Sequence, residues 1–242
     1  GGHAVSFVQH YYGMSYQDAM ELLLGKELGE AYPAAQPKRE EPPKPFALPT
    51  PHTDMRRVYA YLMKQRHISR EVITHFARAG LLYEDAQYHN CVFVGTDKQG
   101  VPRHAHKRST NSQGKSFKVN VEGSKPQYSF HHMGQDGLLY VFEVPIDLLS
   151  FLTLYPNGWQ EHSYVALGGT GGQAMHWMLE RNTHLRDVVL SLDHDEPGQV
   201  VARHLQEELQ GAGYHSGILL PMHKDWNDDL VQGPVMTMAQ SM

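Results

Sequence analysis

From Leu138 onward the chain alternates two hydrophobic rhythms. Short apolar runs with little polar relief occur at Leu138–Phe142, Ser163–Leu167, Val188–Asp193 and Gly217–Leu220. Such runs predict strands buried on both faces, as in parallel sheets. Between them, apolar residues recur at helical spacing from Pro145 through Leu152, over Gln173–Arg181, and along the stretch that follows Pro197. Pro145 and Pro197 sit where a first helical turn begins, a position that tolerates a missing N–H. Strand–helix alternation at this spacing predicts a parallel sheet with right-handed crossovers, flanked by helices.

The pattern upstream is different. Residues 2–24 read as a helical pair, with Ala4, Val5, Phe7, Val8 and Tyr11 on one face and a break at Gly13. Seven of the fourteen prolines fall between Pro33 and Pro51, so residues 25–52 read as an extended linker with too little apolar surface to offset its chain entropy. Helical periodicity returns at Met55–Gln65, with Asp54 as expected cap, and at Arg70–Ala79, capped by Ser69 and stopped by Gly80. Alternating runs at Cys91–Gly95, Val101–Arg108, Phe117–Val121 and Tyr128–His132 predict a small antiparallel sheet. The expected organisation is therefore a helical pair (1–24), a linker (25–52), a small α+β domain (53–134) and an α/β domain (135–242).

Acidic residues cluster where the predicted strands end. Glu143 follows the first, Asp193 and Asp195 follow the third, and Asp225 and Asp228 follow the fourth. The carboxyl edge of an open α/β sheet is where ligands bind. Alternate residues of an extended segment point the same way, so Asp193 and Asp195 can face one point. Two carboxylates held that close repel unless a proton or a cation separates them. A hard divalent ion with oxygen ligands, Mg²⁺ or Mn²⁺, is the expected answer. Asp193 and Asp195 are its expected ligands, Asp225 or Asp228 would serve a second ion or its water shell, and Glu143 would act as a ligand or a general acid/base. The turn Gly168-Gly169-Thr170-Gly171-Gly172 before a helix suggests phosphate contact through Gly169 and Thr170, although it lacks the Lys-Ser/Thr ending of a P-loop. Lys224 is a candidate triphosphate contact.

Bulk composition narrows the partners. The net charge is −5, so any nucleic-acid surface has to be local. Arg103, Lys107, Arg108, Lys115, Lys118 and Lys125 supply one on the small sheet, with Glu122 the single acid among them. Period two places Arg103 and Lys107 on one face and Arg108 on the other. The seventeen histidines are scattered and read as surface or core polar residues; His104 and His106 alternate like a metal pair but lack an evident third ligand. Cys91 is the single cysteine, which excludes an internal disulfide and fits a reducing cytosol. No apolar run approaches the roughly 20 residues of a membrane helix, and a cytoplasmic location is expected.

Three motifs in order resemble a known family. Phe142-Glu143-Val144-Pro145-Ile146-Asp147, Asp193-His194-Asp195-Glu196-Pro197-Gly198 and Lys224-Asp225-Trp226-Asn227-Asp228 resemble the Toprim domain shared by topoisomerases and primases. The helix pair and small sheet before them resemble the domain that precedes the catalytic core of bacterial DnaG-type primases. Gly1 to Val8 and Met14 to Ala19 resemble the tail of the primase zinc ribbon. The chain starts without Met, so a ribbon is expected upstream of it. No Cys/His set with ribbon spacing is present, so zinc is not expected. The resemblance implies synthesis of short primers from nucleoside triphosphates on a single-stranded DNA template, in a plasmid or mobile element, with a helicase or relaxase as possible partner. Two other readings stay open: Toprim-type metal-dependent cleavage, and a non-catalytic module that binds single-stranded DNA.

Overall fold

The computed structural model describes Asp18 and residues 45–111, 116–169 and 171–233. The helical pair expected over 1–24, most of the linker, Lys115 and Thr170 lie outside the described residues. The described residues from 45 onward belong to one compact unit.

That unit opens with α1 (Arg56–Lys64) and α2 (Arg70–Arg78). Ser69 caps α2 by accepting the Val72 N–H at 3.2 Å. Asp54 lies one residue further out than expected: Met55 holds the cap position of α1, while Asp54 Oδ1 accepts the Arg56 N–H at 3.1 Å. Strands β1 (Leu82–Glu84), β2 (Cys91–Thr96), β3 (Pro102–Arg108) and β4 (Lys118–Asn120) then pair antiparallel in sequence order. The strand expected at Tyr128–His132 is mostly absent. Pro126, with no N–H to give a ladder, opens a 3₁₀ turn to Tyr128, and only β5 (His131–His132) pairs. Its partner belongs to the second sheet.

That second sheet contains β6 (Leu138–Phe142), β7 (Ser163–Ala166), β8 (Asp187–Leu190) and β9 (His215–Ile218) in the order β5-β7-β6-β8-β9. The last four are mutually parallel and β5 is antiparallel. Helices α3 (Pro145–Leu154), α4 (Gln173–Arg181) and α5 (Glu196–Gly211) make the crossovers, and α6 (Trp226–Gln232) follows β9. β8 ends three residues earlier than expected. Ser191 N–H still donates to Val141 O at 2.8 Å, but Ser191 O turns to the Trp226 indole N–H at 2.9 Å, and the chain leaves the ladder there. β9 is shifted two residues toward the N-terminus because its register pairs His215 with Asp187, the start of β8.

One apolar core crosses residues 134 and 135. Val58, Leu62, Ile73 and Phe76 from the helix pair and Phe93 from β2 share it with Phe142, Leu148, Phe151 and Trp226. Phe130 sits between, with ring centroids 4.9 Å from Phe76 and 5.4 Å from Phe93. Gly95 permits this approach: a Cβ there would lie 1.6 Å from Tyr128 O. A second core, on the other face of the parallel sheet, packs β6 and β8 against α4 and α5 through Leu139, Val188, Met178 and Leu205. The small sheet is thereby fixed over the carboxyl edge of the parallel sheet. No helix among the described residues is long and apolar enough to cross a membrane.

Candidate active site

The parallel sheet delivers its acids to one edge because β6 and β8 are neighbours. Glu143 follows β6 directly, and Asp193 lies on the turn after β8. Asp195 is the cap of α5; its Oδ1 accepts the Gly198 N–H at 3.0 Å. Gly198 is required there, since a Cβ would come within 2.4 Å of Asp193 O. The turn is tied to the segment after β9 by His194, whose N–H donates to Lys224 O at 2.7 Å. Asp225 caps α6 by accepting the Asp228 N–H at 2.7 Å.

The carboxylates converge. Asp193 is pushed up to about 7, first by burial and then by repulsion from Glu143, Asp225 and Asp195, with Lys224 opposing. Its Oδ1 is buried and has no hydrogen-bond partner. Asp228 is not among the leading charges acting on Asp193. Asp147, one turn into α3, is 3% exposed and raised well above the usual carboxylate range by burial and by Asp225, Asp193 and Glu143; the Asn227 backbone N–H opposes. Asp147 stands in the first of the three motifs, and only the fold brings it beside the other acids.

Facing these acids is a wall of cations from the small sheet and the α1–α2 turn. A cleft of about 130 Å³ is lined by Asp147, Asp193, Asp225 and Lys224 from the parallel-sheet domain and by Arg66, Arg108 and Lys118 from the α1–α2 turn and the small sheet. Glu143 and Asp195 line the adjoining recess of about 130 Å³, together with Gly169 and Gly198. Lys118 Nζ stands 3.7 Å from Glu143 Oε1, and Lys224 Nζ 3.8 Å from Asp195 Oδ2. Asn227, 3% exposed, locks the wall to the acid side. It accepts from Arg66 Nη1 at 3.0 Å and donates to Arg66 O at 2.8 Å and to Ser150 Oγ at 2.9 Å. A larger hollow of about 430 Å³ at Arg57, Tyr61, Lys64 and Tyr88 has no carboxylate in its lining and so no ligand set for a hard cation.

The structure sorts the basic residues named from sequence. Register pairs His106 with Phe93 and Asn120, and Arg108 with Cys91 and Lys118, so the even positions of β3 face the cleft. Lys107 pairs with Val92 and Val119 on the opposite face, and Arg103 is held by Asp97 at 2.9 Å. Lys118 reaches Glu143, and Arg108 lines the cleft with its Nε donating to Tyr61 OH at 3.2 Å; Arg103 and Lys107 are not in the cleft lining. Arg66 was missed because nothing in its local sequence marks it, and Asn227, which stands inside the third motif, had no role there.

An all-oxygen donor set with one orphaned, buried carboxylate oxygen fits a divalent cation of the hard class. Asp193, Asp195, Glu143 and Asp225 are the residues that would hold it.

A family model described as Toprim-like matches residues 140–230. Residues 140–230 form a Toprim-like domain. The preceding residues, 60–136, match a family described as a protein of unknown function, DUF3991. No curated protein matches the chain in sequence. Among solved structures, the primase fragment of the bacteriophage T7 primase-helicase superposes at TM-score 0.55 and 16% identity, covering 70% of this chain and 68% of that one. The E. coli primase catalytic core gives 0.51 and 17% over 73% and 69%. The RNA polymerase domain of Mycobacterium tuberculosis primase gives 0.50 and 18% over 74% and 73%. The Toprim-like domain and the small sheet before it thus share the fold of a primase catalytic core.

Proposed function

We propose that the chain is a metal-dependent nucleotidyltransferase that joins nucleotides into short primers on a single-stranded DNA template. The observation that carries this reading is the buried, unpartnered Oδ1 of Asp193, set among Glu143, Asp195 and Asp225 and facing Arg66, Arg108, Lys118 and Lys224. Mg²⁺ or Mn²⁺ held by those acids would orient phosphate oxygens and offset charge in an in-line displacement.

In this reading the protein's own groups divide the work. Asp193 and Asp195 are ligands, and Asp225 completes the acid side. Glu143, next to Lys118, serves as ligand or as acceptor of the attacking hydroxyl's proton. Lys224, Arg66 and Arg108 bind the triphosphate and template phosphates, where each neutralised phosphate adds salt-dependent affinity. Gly169 borders the same recess as Glu143 and Asp195 and supplies backbone contact to phosphate; Thr170 lies outside the described residues. Asp147, whose carboxyl is pushed well above the usual carboxylate range by burial and the neighbouring acids, also lines the cleft. A helicase partner, as in the phage primase-helicase, belongs to the same reading.

The test is incubation with a single-stranded template, labelled nucleoside triphosphates and Mg²⁺ or Mn²⁺. New oligomers that vanish in Asp193→Asn support synthesis. Shortened template alone would move the assignment to metal-dependent cleavage, and salt-sensitive binding with no turnover would leave a binding module.

A further inference from the structure

We propose that His52, Glu84 and His89 form a second divalent-metal site, of the zinc class, that fastens the start of the compact unit to β1. Each offers a donor atom, and all three donors lie within 4.8 Å of one another. None of the three lines the acid cleft.

The ligands are prepared individually. Glu84 is 1% exposed, and its Oε2 is fixed by the N–H groups of Arg57 and Val58 at 3.0 and 3.1 Å, at the first turn of α1. Oε1 is left for the histidines and lies 2.6 Å from His89 Nδ1. His52 Nδ1 lies 3.1 Å from both the Asp54 carbonyl O and the Asp54 N–H, so Asp54 engages this nitrogen from either side and Nε2 is the nitrogen left for a metal, which binds it in the tautomer that donates to the carbonyl. The His52 and His89 ring centroids are 4.7 Å apart. An ordinary Glu–His pair would account for Glu84 and His89, but not for a second imidazole brought against the same buried acid.

The backbone at His89 supports the same conclusion. Its φ is 58°, in the left-handed region that non-glycine residues occupy uncommonly and that His, Asn and Asp enter more often than the rest; His67 shares it at 56°. The conformation is enforced from both sides: His89 N–H donates to Asp85 O at 3.0 Å, and Thr110 Oγ1 donates to His89 O at 2.7 Å. Uncommon backbone held this firmly is characteristic of ligand clamps.

Two imidazoles and one carboxylate select a borderline metal such as Zn²⁺ over Mg²⁺, with a water in the fourth position. The acid cleft has the opposite preference, so the two sites sort two metals. The strap is already stitched down by His52 N–H to Glu84 O at 2.7 Å, Ala86 N–H to Thr50 O at 2.8 Å and Tyr83 OH to Pro49 O at 2.6 Å. An ion bridging His52 to Glu84 and His89 stabilises the same closure, and its binding energy becomes folding energy.

The experiment uses chelator-stripped full chain titrated with ZnCl₂ by calorimetry in excess Mg²⁺. One Zn²⁺ is expected to bind wild type and Asp193→Asn alike. His52→Gln and His89→Asn should each weaken it more than about 100-fold, beyond the 10–100-fold typical of an outer-shell partner. Asn accepts the backbone conformation at position 89, and circular dichroism checks that both variants fold. X-ray absorption at the zinc edge of the loaded wild-type protein should show two imidazole ligands. Unchanged Zn²⁺ affinity in the two histidine variants, loss of binding in Asp193→Asn, or an all-oxygen zinc shell would each overturn the proposal.

Discussion

Replacing Asp193 with Asn should make the metal-free protein more stable while removing its activity. Asp193 is raised from an ordinary 3.8 to about 7 by burial and by three neighbouring carboxylates. At about 1.4 kcal/mol per pKa unit, that rise corresponds to roughly 4 kcal/mol against the ionised form. The group is partly open to solvent, and screening reduces the figure to about 2 kcal/mol. The sign follows from proton binding. Between 3.8 and about 7 the folded state holds a proton that the unfolded state has released, so stability falls as pH rises through that window. Below 3.8 the acid is protonated in both states and costs nothing. Asn keeps the shape and cannot ionise. At about pH 8 without metal, Asp193→Asn should therefore melt higher by about 4–8 °C, at 2–4 °C per kcal/mol for a chain of this size. The difference should shrink toward zero as pH falls to about 4. Mg²⁺ should raise the melting temperature of wild type more than that of the variant. Thermal melts at several pH values, with and without Mg²⁺, read all of this. A variant that melts lower than wild type at high pH, or a gap that does not narrow on acidification, would refute the electrostatic account of the cleft.

Asn227→Ala leaves Arg66 O, Arg66 Nη1 and Ser150 Oγ without their shared partner, and urea titration should show a loss of about 2–3 kcal/mol. Gly95→Ala drives a methyl into Tyr128 O and should cost more than about 3 kcal/mol, to the point of little folded protein on expression. Arg108→Ala should weaken binding of single-stranded DNA and reduce the salt slope measured by fluorescence anisotropy by about 1. Arg103→Ala, whose side chain is engaged with Asp97, should leave that slope as it is.

What could be read from sequence was whatever a local pattern encodes. The parallel sheet announced itself because Leu138–Phe142 and Asp187–Leu190 are apolar runs closed by acids, and those two strands are neighbours in the fold. Ser69 capped its helix as expected because a cap is decided by adjacent residues. Residues whose role depends on distant chain were not legible. Arg66 and Asn227 meet across 161 positions: Arg66 sits in an ordinary polar turn, and Asn227, although inside the third motif, gains its role only when Arg66 is brought to it. Asp147 reads as a polar residue in a first helical turn; only the tertiary fold buries it beside three other acids. The even face of β3 became the cleft wall because β2 and β4 fix which side packs on the core, and no count of charges along the strand decides that. His52, Glu84 and His89 come from three separate turns and strands, so no spacing rule collects them.

The inward and outward sides of the β2–β3 hairpin depend on one irregularity, at Gly95 and Thr96, where the pairing slips by a residue. Beyond it, the even positions of β3 face the cleft and the odd ones face the opposite side, where Ala105 is buried with Val92 and Val94. Deleting a single residue between that slip and His106 would turn the ribbon over, moving Lys107 to the cleft side and Arg108 to the face that carries Val92 and Val94. Length, at this one place, is as tightly constrained as any acid in the cleft, and natural insertions or deletions in related chains should avoid it.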